Sequence, residues 1–295
     1  MMQNVGNELH KSTGAFTVSE PVGKHPKFLE LGMAPGDFLS AAMEHNPDAS
    51  ATAYSLPVEA GGYEVLLPQS PGIDTRMLDV TMLAADMDAD AIPEGHPDLA
   101  NFLPRHFNGI WEFDVVSCGG SVVRSHSRAA YRALSETHRL SVTQLALGLG
   151  QLRRGGTMIV LLHKPEAPGT VETLHLFSQF SSIQLFKSTK AHAKRSAFYM
   201  VATNVQVEHP EAVKAVQSWK HLFNVATFGG EGEFKQLVHK DNPWVEGMVN
   251  DFGPALVRLG KPIWAIQARA LANAPFTKKP VPASQSSHSW RRESK

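Results

Sequence analysis

The chain has 295 residues, of which 42% are apolar and 19% charged, with 28 basic residues balanced by 28 acidic ones. That length suits one large domain with an appendage, and the composition is that of a globular chain able to bury a sizeable core. Zero formal net charge excludes a uniformly basic nucleic-acid binder, and the single cysteine, Cys118, excludes an internal disulfide or a cysteine-rich zinc site. The polar start MMQNVGNELHKSTG lacks the apolar core of a secretory signal, and no apolar run approaches the ~18 residues of a membrane span. The expectation is an intracellular protein, cytoplasmic or nuclear, with no membrane partner.

In chain order, residues 1–26 read as a short helix near Asn4–Ser12 followed by a loop. KFLELGMA (27–34) is an apolar run stopped by Gly and Pro, the pattern of a buried strand. GDFLSAAMEHNP (36–47) sets Phe38, Leu39, Ala42 and Met43 on one helical face and stops at Asn-Pro. SATAYSLP (50–57) is a second strand, 58–75 a long loop, RMLDVTML (76–83) a weaker strand and 84–109 irregular. FDVVSCGG (113–120) reads as a strand, 127–152 as a leucine-rich helix and TMIVLLH (157–163) as a strand. TVETLHLFSQF (170–180) is a helix, and SIQLFK (182–187) and AFYMVATN (197–204) are strands joined by a basic segment.

Alternating strands and helices require parallel crossovers. The predicted fold class is α/β: a Rossmann-like, doubly wound, mostly parallel seven-stranded sheet with one antiparallel strand, plus C-terminal helices. Those helices are expected at 211–223, 243–260 and 261–274. The predicted divisions are an N-terminal helix and loop at 1–26, a main domain at 27–204, a helical extension at 205–276 and a disordered Pro/Ser/basic tail at 277–295. Ligands of such sheets bind beyond the carboxyl ends of the strands at the topological switch point. The turn Gly32–Gly36 is the expected place.

FLELGMAPGDF (28–38) resembles the cofactor-binding motif I of S-adenosylmethionine-dependent methyltransferases, specifically the FtsJ/RrmJ-like RNA 2′-O-methyltransferases. The likeness continues in order through FDVVSCGGS, LSVTQLALGLGQLRRGGTMIVLLHK and SQFSSIQLFKSTKAHAKRSAFYMVAT, so it covers roughly 27–204. It implies S-adenosyl-L-methionine as cofactor and RNA ribose 2′-hydroxyls as acceptors. It assigns cofactor contacts to Glu30, Gly32, Ala34, Pro35, Gly36, Asp37 and Phe38, to Ser55 where the family often has an acid for the ribose, and to Asp79 near the adenine. Glycine lets backbone approach a ligand closely, and a helix N-terminus favours a carboxylate such as the methionine end of the cofactor. The run is not Gly-x-Gly-x-x-Gly and no acid closes the second strand, which disfavours a nicotinamide cofactor.

The family's Lys-Asp-Lys-Glu catalytic tetrad is mostly unmatched. SCGGS (117–121) stands where the aspartate belongs, Leu161 at the central lysine, and Ser196–Ala197 at the glutamate; Lys11 is the sole candidate for the first lysine. His163 and Lys164, at the end of a strand on the ligand edge, are the remaining catalytic candidates. Cys118 reads as an ordinary small buried residue. The basic segment supplies Lys187, Lys190, Lys194 and Arg195, with His192 among them; together with Arg124, Arg128 and Arg132 on the helix after the fourth strand these are candidate RNA phosphate contacts. Tyr131 is the single aromatic among them. The alternatives are a catalytically degenerate module that binds cofactor or RNA, and a methyltransferase with a non-RNA acceptor.

Overall fold

The computed structural model describes residues 2–21, 23–68, 70–89, 91–109, 112–238 and 245–275; the tail expected at 277–295 lies outside the described residues. After helix α1 (Met2–Thr13) come β1 (Lys27–Leu31), α2 (Asp37–His45), β2 (Ser50–Ser55), β3 (Ile73–Met77) and β4 (Phe113–Cys118). Then follow α3 (Glu136–Gln151), β5 (Leu152–His163), α4 (Pro168–Phe180), β6 (Ser182–Phe186) and β7 (Ala197–Val205), and finally α5 (Pro210–Phe228), α6 (Glu231–Val238) and α7 (Val245–Ala272). The strands form one sheet in the order β3-β2-β1-β4-β5-β7-β6. All pairings from β3 to β5 are parallel, and β7 runs antiparallel between β5 and β6. The predicted seven-stranded sheet with one reversed strand is the observed one.

Side chains alternate across the sheet. Leu29 and Leu31 face the layer of α3, α4 and α5, while Phe28 faces the layer of α1 and α2. The order reverses between β1 and β4, so the switch point lies where the β1 and β4 turns emerge side by side.

Four expectations need correction. Strand β3 occupies Ile73–Met77, so it starts inside the expected loop and overlaps the expected strand only at Arg76 and Met77, and 80–82 is a 3₁₀ turn instead of a strand. Asp79 causes this: its Oδ1 accepts Thr81 N at 2.9 Å and caps the turn. The long helix starts at Glu136, because 121–129 is loop and 130–132 a short turn that delivers Arg132 into an ion-pair network. The regions 243–260 and 261–274 were expected as separate helices, but α7 continues through Gly260, Pro254 and Pro262. A proline removes one helical hydrogen bond, yet Phe252, Leu256 and Leu259 keep one continuous face against the core and Ile263 is buried. Helix α6 had no counterpart in the sequence reading. No helix among the described residues is long and apolar enough to cross a membrane.

Candidate functional site

At the switch point the β1 and β4 turns touch backbone to backbone. Gly32 N and Met33 N both donate to Tyr54 O, and Gly119 N and Gly120 N both donate to Leu31 O. Gly32 has φ +87, and a Cβ there would lie 2.2 Å from Gly120 Cα. Gln144 clamps Gly120 from α3, accepting its N–H at 2.8 Å and donating to its carbonyl at 3.1 Å. Ser55 Oγ accepts Ala34 N at 3.3 Å and so ties the β1 turn to β2. The turn passes through a cis Ala34–Pro35 bond and Gly36 at φ +105 into α2, whose first residue is Asp37.

A cavity of about 720 Å³ opens over these turns, lined among others by Gly32, Ala34, Ser55, Asp79, Ser121 and His126. Its wall beyond β3 is a charged network. Asp79 Oδ1 also accepts Thr81 Oγ1 at 2.8 Å, and Oδ2 accepts Arg132 Nη2 at 2.6 Å with His126 Nε2 at 3.3 Å. Burial opposes ionisation of Asp79, but the bonds from His126 and Arg132 outweigh it and hold its pKa well below the usual carboxylate range. Arg132 also grips Glu136 with two bonds of 2.7 and 2.9 Å, and Glu136 accepts Arg139 Nη1 at 2.8 Å. Arg139, fully buried, reaches Thr81 O and Thr227 Oγ1. Ligand atoms of Asp79, His126 and Glu136 lie within 4.8 Å of one another, but the Arg132 guanidinium bridges the two carboxylates and serves as their cation.

A second cavity of about 180 Å³ adjoins the first, and Ser121 and Arg195 line both. Leu161, His163, Lys187, His192 and Tyr199 are among the other residues of its wall. Lys187 is only 5% exposed, and its Nζ donates to Arg195 O and Ala197 O, each at 2.6 Å. Burial lowers the Lys187 pKa. Burial and the Lys187 charge lower that of His163, whose Nδ1 lies 3.3 Å from Ser196 Oγ. His192, at φ 56, is lowered by burial, Arg195 and Lys187. Burial and nearby Glu30 raise the Tyr199 phenol.

The two cavities sort the candidates. Gly32, Ala34, Ser55 and Asp79 line the larger one, and Pro35, Gly36 and Asp37 carry the chain from it into α2. Glu30 and Phe38 belong elsewhere. Phe38 is core, stacked on Tyr199 at 5.6 Å and edge-on to Phe16 at 5.5 Å. Glu30 lies among Phe28, Phe38 and Leu39 beside a void of about 10 Å³, and its Oε2 has no hydrogen-bond partner. Position parity decides this: Glu30 shares a sheet face with Phe28, which α2 covers. His163 reaches the smaller cavity, whereas Lys164 is exposed at φ 48 with its amide bonded to Ser196 O.

Arg132 is buried in the ion-pair network and is not a phosphate contact on a helix face, whereas Lys187, also buried, keeps two donors on backbone carbonyls and stands on the wall of the smaller cavity. Arg124 and Arg128 sit in the loop ahead of α3, not on it. Tyr131 donates its hydroxyl to Asp98 at 2.9 Å. Lys11 lines a groove on α1 with Glu8, Ser188 and Lys190. Cys118 is buried, donates to Gln144 O at 3.3 Å, and has its thiol pKa pushed up by burial, which removes it as a nucleophile. His126, Glu136, Gln144 and the burial of Lys187 escaped the sequence reading. Only the Arg132-x-x-x-Glu136-x-x-Arg139 spacing hinted at a helical ion-pair row.

Burial raises the Glu30 pKa from 4.5 to about 8. The fold therefore holds this carboxyl protonated. Between pH 5 and pH 8 the unfolded chain loses the proton and the folded chain keeps it, so stability falls as pH rises, by up to about 1.4 kcal/mol per pH unit. Glu30→Gln removes that slope. Chemical denaturation at pH 5, 6.5 and 8 is expected to give wild-type and variant curves that converge at low pH and separate, variant more stable, at pH 8.

The sequence profile of FtsJ-like methyltransferases matches residues 8–205, well over half of the chain. A protein of Plasmodium falciparum assigned as a ribosomal RNA methyltransferase is similar in structure at 13% identity and a TM-score of 0.43, over 69% of this chain and 96% of that one. The N-methyltransferase NodS of Bradyrhizobium japonicum gives 13% and 0.42, over 70% of this chain and 100% of that one. Human methyltransferase-like protein 13, solved with SAH, gives 13% and 0.36, over 68% and 82%. Among curated proteins there is no match.

Proposed function

We infer that this chain, which belongs to the FtsJ-like methyltransferase family, binds S-adenosyl-L-methionine in the larger cavity and methylates an acceptor presented in the smaller one, with an RNA ribose 2′-hydroxyl as that acceptor. The observation that carries this reading is the junction of the two cavities at Ser121 and Arg195, directly beyond the Gly32 turn. The larger cavity suits the cofactor: paired glycines let the ligand lie against backbone, Ser55 offers a hydroxyl, and the N-terminus of α2 carries the partial positive charge that suits a carboxylate. Asp79 enters this reading as a wall residue, since both its oxygens are already engaged by Thr81, Arg132 and His126. When bound, the cofactor supplies an electrophilic methyl group. The chain's task is to position the acceptor and exclude water, for which orientation matters more than acid–base help.

RNA is supported by the cations that line the smaller cavity, Arg195 and, set deeper, Lys187. His163 is the proton acceptor in this reading, because burial and Lys187 keep its imidazole neutral near pH 7. A second reading, a non-RNA acceptor, is favoured by one specific feature: no carboxylate lines the smaller cavity, and the resemblance sets Leu161 and Ser196–Ala197 at the places of the central lysine and the glutamate. The test is incubation with cofactor labelled in its methyl group and total RNA, followed by nuclease digestion. Label in 2′-O-methylnucleosides supports the RNA reading; label only in a small-molecule extract contradicts it in favour of the second. His163→Gln is expected to lower transfer about 100-fold while leaving cofactor binding intact.

A further inference from the structure

We propose that the smaller cavity is a binding site for a phosphoryl oxyanion of the acceptor, centred on Arg195 and Lys187. That the phosphate belongs to a methyl acceptor rests on the methyltransferase reading; the anion site itself does not. None of the lining residues is acidic. Lys187 Nζ spends two of its three donors on Arg195 O and Ala197 O, which aims the cation and leaves one donor for a ligand. The Arg195 guanidinium has no hydrogen bond or ion pair among the described residues, yet it stands at the wall common to both cavities. Its planar fork matches two oxygens of one phosphoryl group.

The surroundings leave this charge unanswered. From β5 comes His163, from the loop after β6 come His192 and the hydroxyl of Ser188, and from the β4 turn comes Ser121. From β7 comes Tyr199, whose phenol burial keeps neutral, and behind it on β1 is Glu30, which its own burial keeps protonated. On α1, Glu8 and Lys11 line the neighbouring groove and not this cavity. A buried ammonium without a counter-ion is unfavourable: burial lowers the pKa of Lys187, and burial first, then the neighbouring cations, lower those of His163 and His192. An oxyanion supplies the counter-ion. Lys190 and Lys194 on the same loop do not line this cavity, so the proposal separates a built site from diffuse surface charge.

The phosphoryl group has two possible sources, a terminal monophosphate or an internal phosphodiester. Calorimetric titrations at pH 7 and low salt with uridine 5′-monophosphate and with a uridine trinucleotide lacking terminal phosphates tell them apart. Saturable binding of either supports the site, and the tighter arm names the source. Arg195→Gln is expected to weaken that arm tenfold or more, since each charge-assisted bond is of that order. Lys194→Gln is expected to change it less than about twofold, the scale of one screened surface charge. Lys187→Gln, checked for folding by circular dichroism, should match Arg195→Gln. No binding of either ligand, or an equal loss in Lys194→Gln and Arg195→Gln, would overturn the proposal. The cofactor is titrated into the same samples. Cofactor binding without phosphate binding defeats this inference alone, and phosphate binding without cofactor binding defeats the methyltransferase reading alone.

Discussion

Gly32→Ala is expected to destabilise the protein by roughly 3 kcal/mol or more and to abolish cofactor binding. Two effects add. The backbone at φ +87 lies in the left-handed region, where a side chain costs about 1–2 kcal/mol. The added Cβ would also sit 2.2 Å from Gly120 Cα and 2.3 Å from Gly120 N. Overpacking of this kind costs typically about 1–3 kcal/mol. Neither turn can step aside, because Tyr54 O holds one, Leu31 O holds the other, and Gln144 grips Gly120 on both sides. A pair of substitutions in one helix is the internal control. In α3 a Cβ at Gly148 would meet Met158, Cys118 and Val116 at about 3 Å, whereas one at Gly150 meets nothing within 4 Å. Gly148→Ala is therefore expected to destabilise, and Gly150→Ala to stabilise by up to about 1 kcal/mol through helix propensity. Urea unfolding of the three variants measures all of this; a Gly32→Ala protein as stable as wild type would contradict the close approach of the two turns.

The second large effect is expected at Glu136. Glu136→Leu strands Arg132 and Arg139, which are 4% and 0% exposed, without their shared carboxylate. Breaking a buried pair from one side costs roughly 3–5 kcal/mol, because an uncompensated charge stays behind. Asp79 would keep Arg132 partly neutralised in that variant, so Asp79→Asn together with Glu136→Leu should cost more than the sum of the singles, because the double variant removes both carboxylates that hydrogen-bond the buried guanidinium. The pH dependence has a definite sign. Asp79 has a depressed folded pKa, so its contribution is complete above the ordinary carboxylate value near 3.8 and disappears as the pH falls through the folded value. Acid titration of stability should be shallower in Asp79→Asn than in wild type. Equal acid sensitivity would mean that Asp79 is not held by His126 and Arg132.

Much of the fold was legible because its signals are local. β1 and β4 are apolar runs cut off by glycine, the apolar run of β5 follows a Gly-Gly pair, and their order with the intervening helices dictates parallel crossovers. The Gly32 turn was legible for the same reason, since a strand, a small-residue break and a helix start succeed one another within ten residues. What was hidden depends on partners far along the chain. The late start of α3 goes with Arg132 binding a carboxylate 53 residues earlier. Lys187 reads as one of several loop cations until the carbonyls of Arg195 and Ala197 close around it. Glu30 was placed at the ligand because it sits in the motif, but strand parity turns it toward α2. The prolines of α7 argue for a break in sequence, and the apolar face they interrupt argues, successfully, against one.

The central claim is that the cavity over the Gly32 and Gly120 turns is a cofactor site. Calorimetry of the folded wild-type chain with S-adenosyl-L-methionine tests it most directly. Saturable binding at one site per chain, competed by S-adenosylhomocysteine and weakened by Ser55→Ala at the cavity wall, is the predicted result. No detectable binding at millimolar cofactor, from protein that circular dichroism shows to be folded, would contradict it.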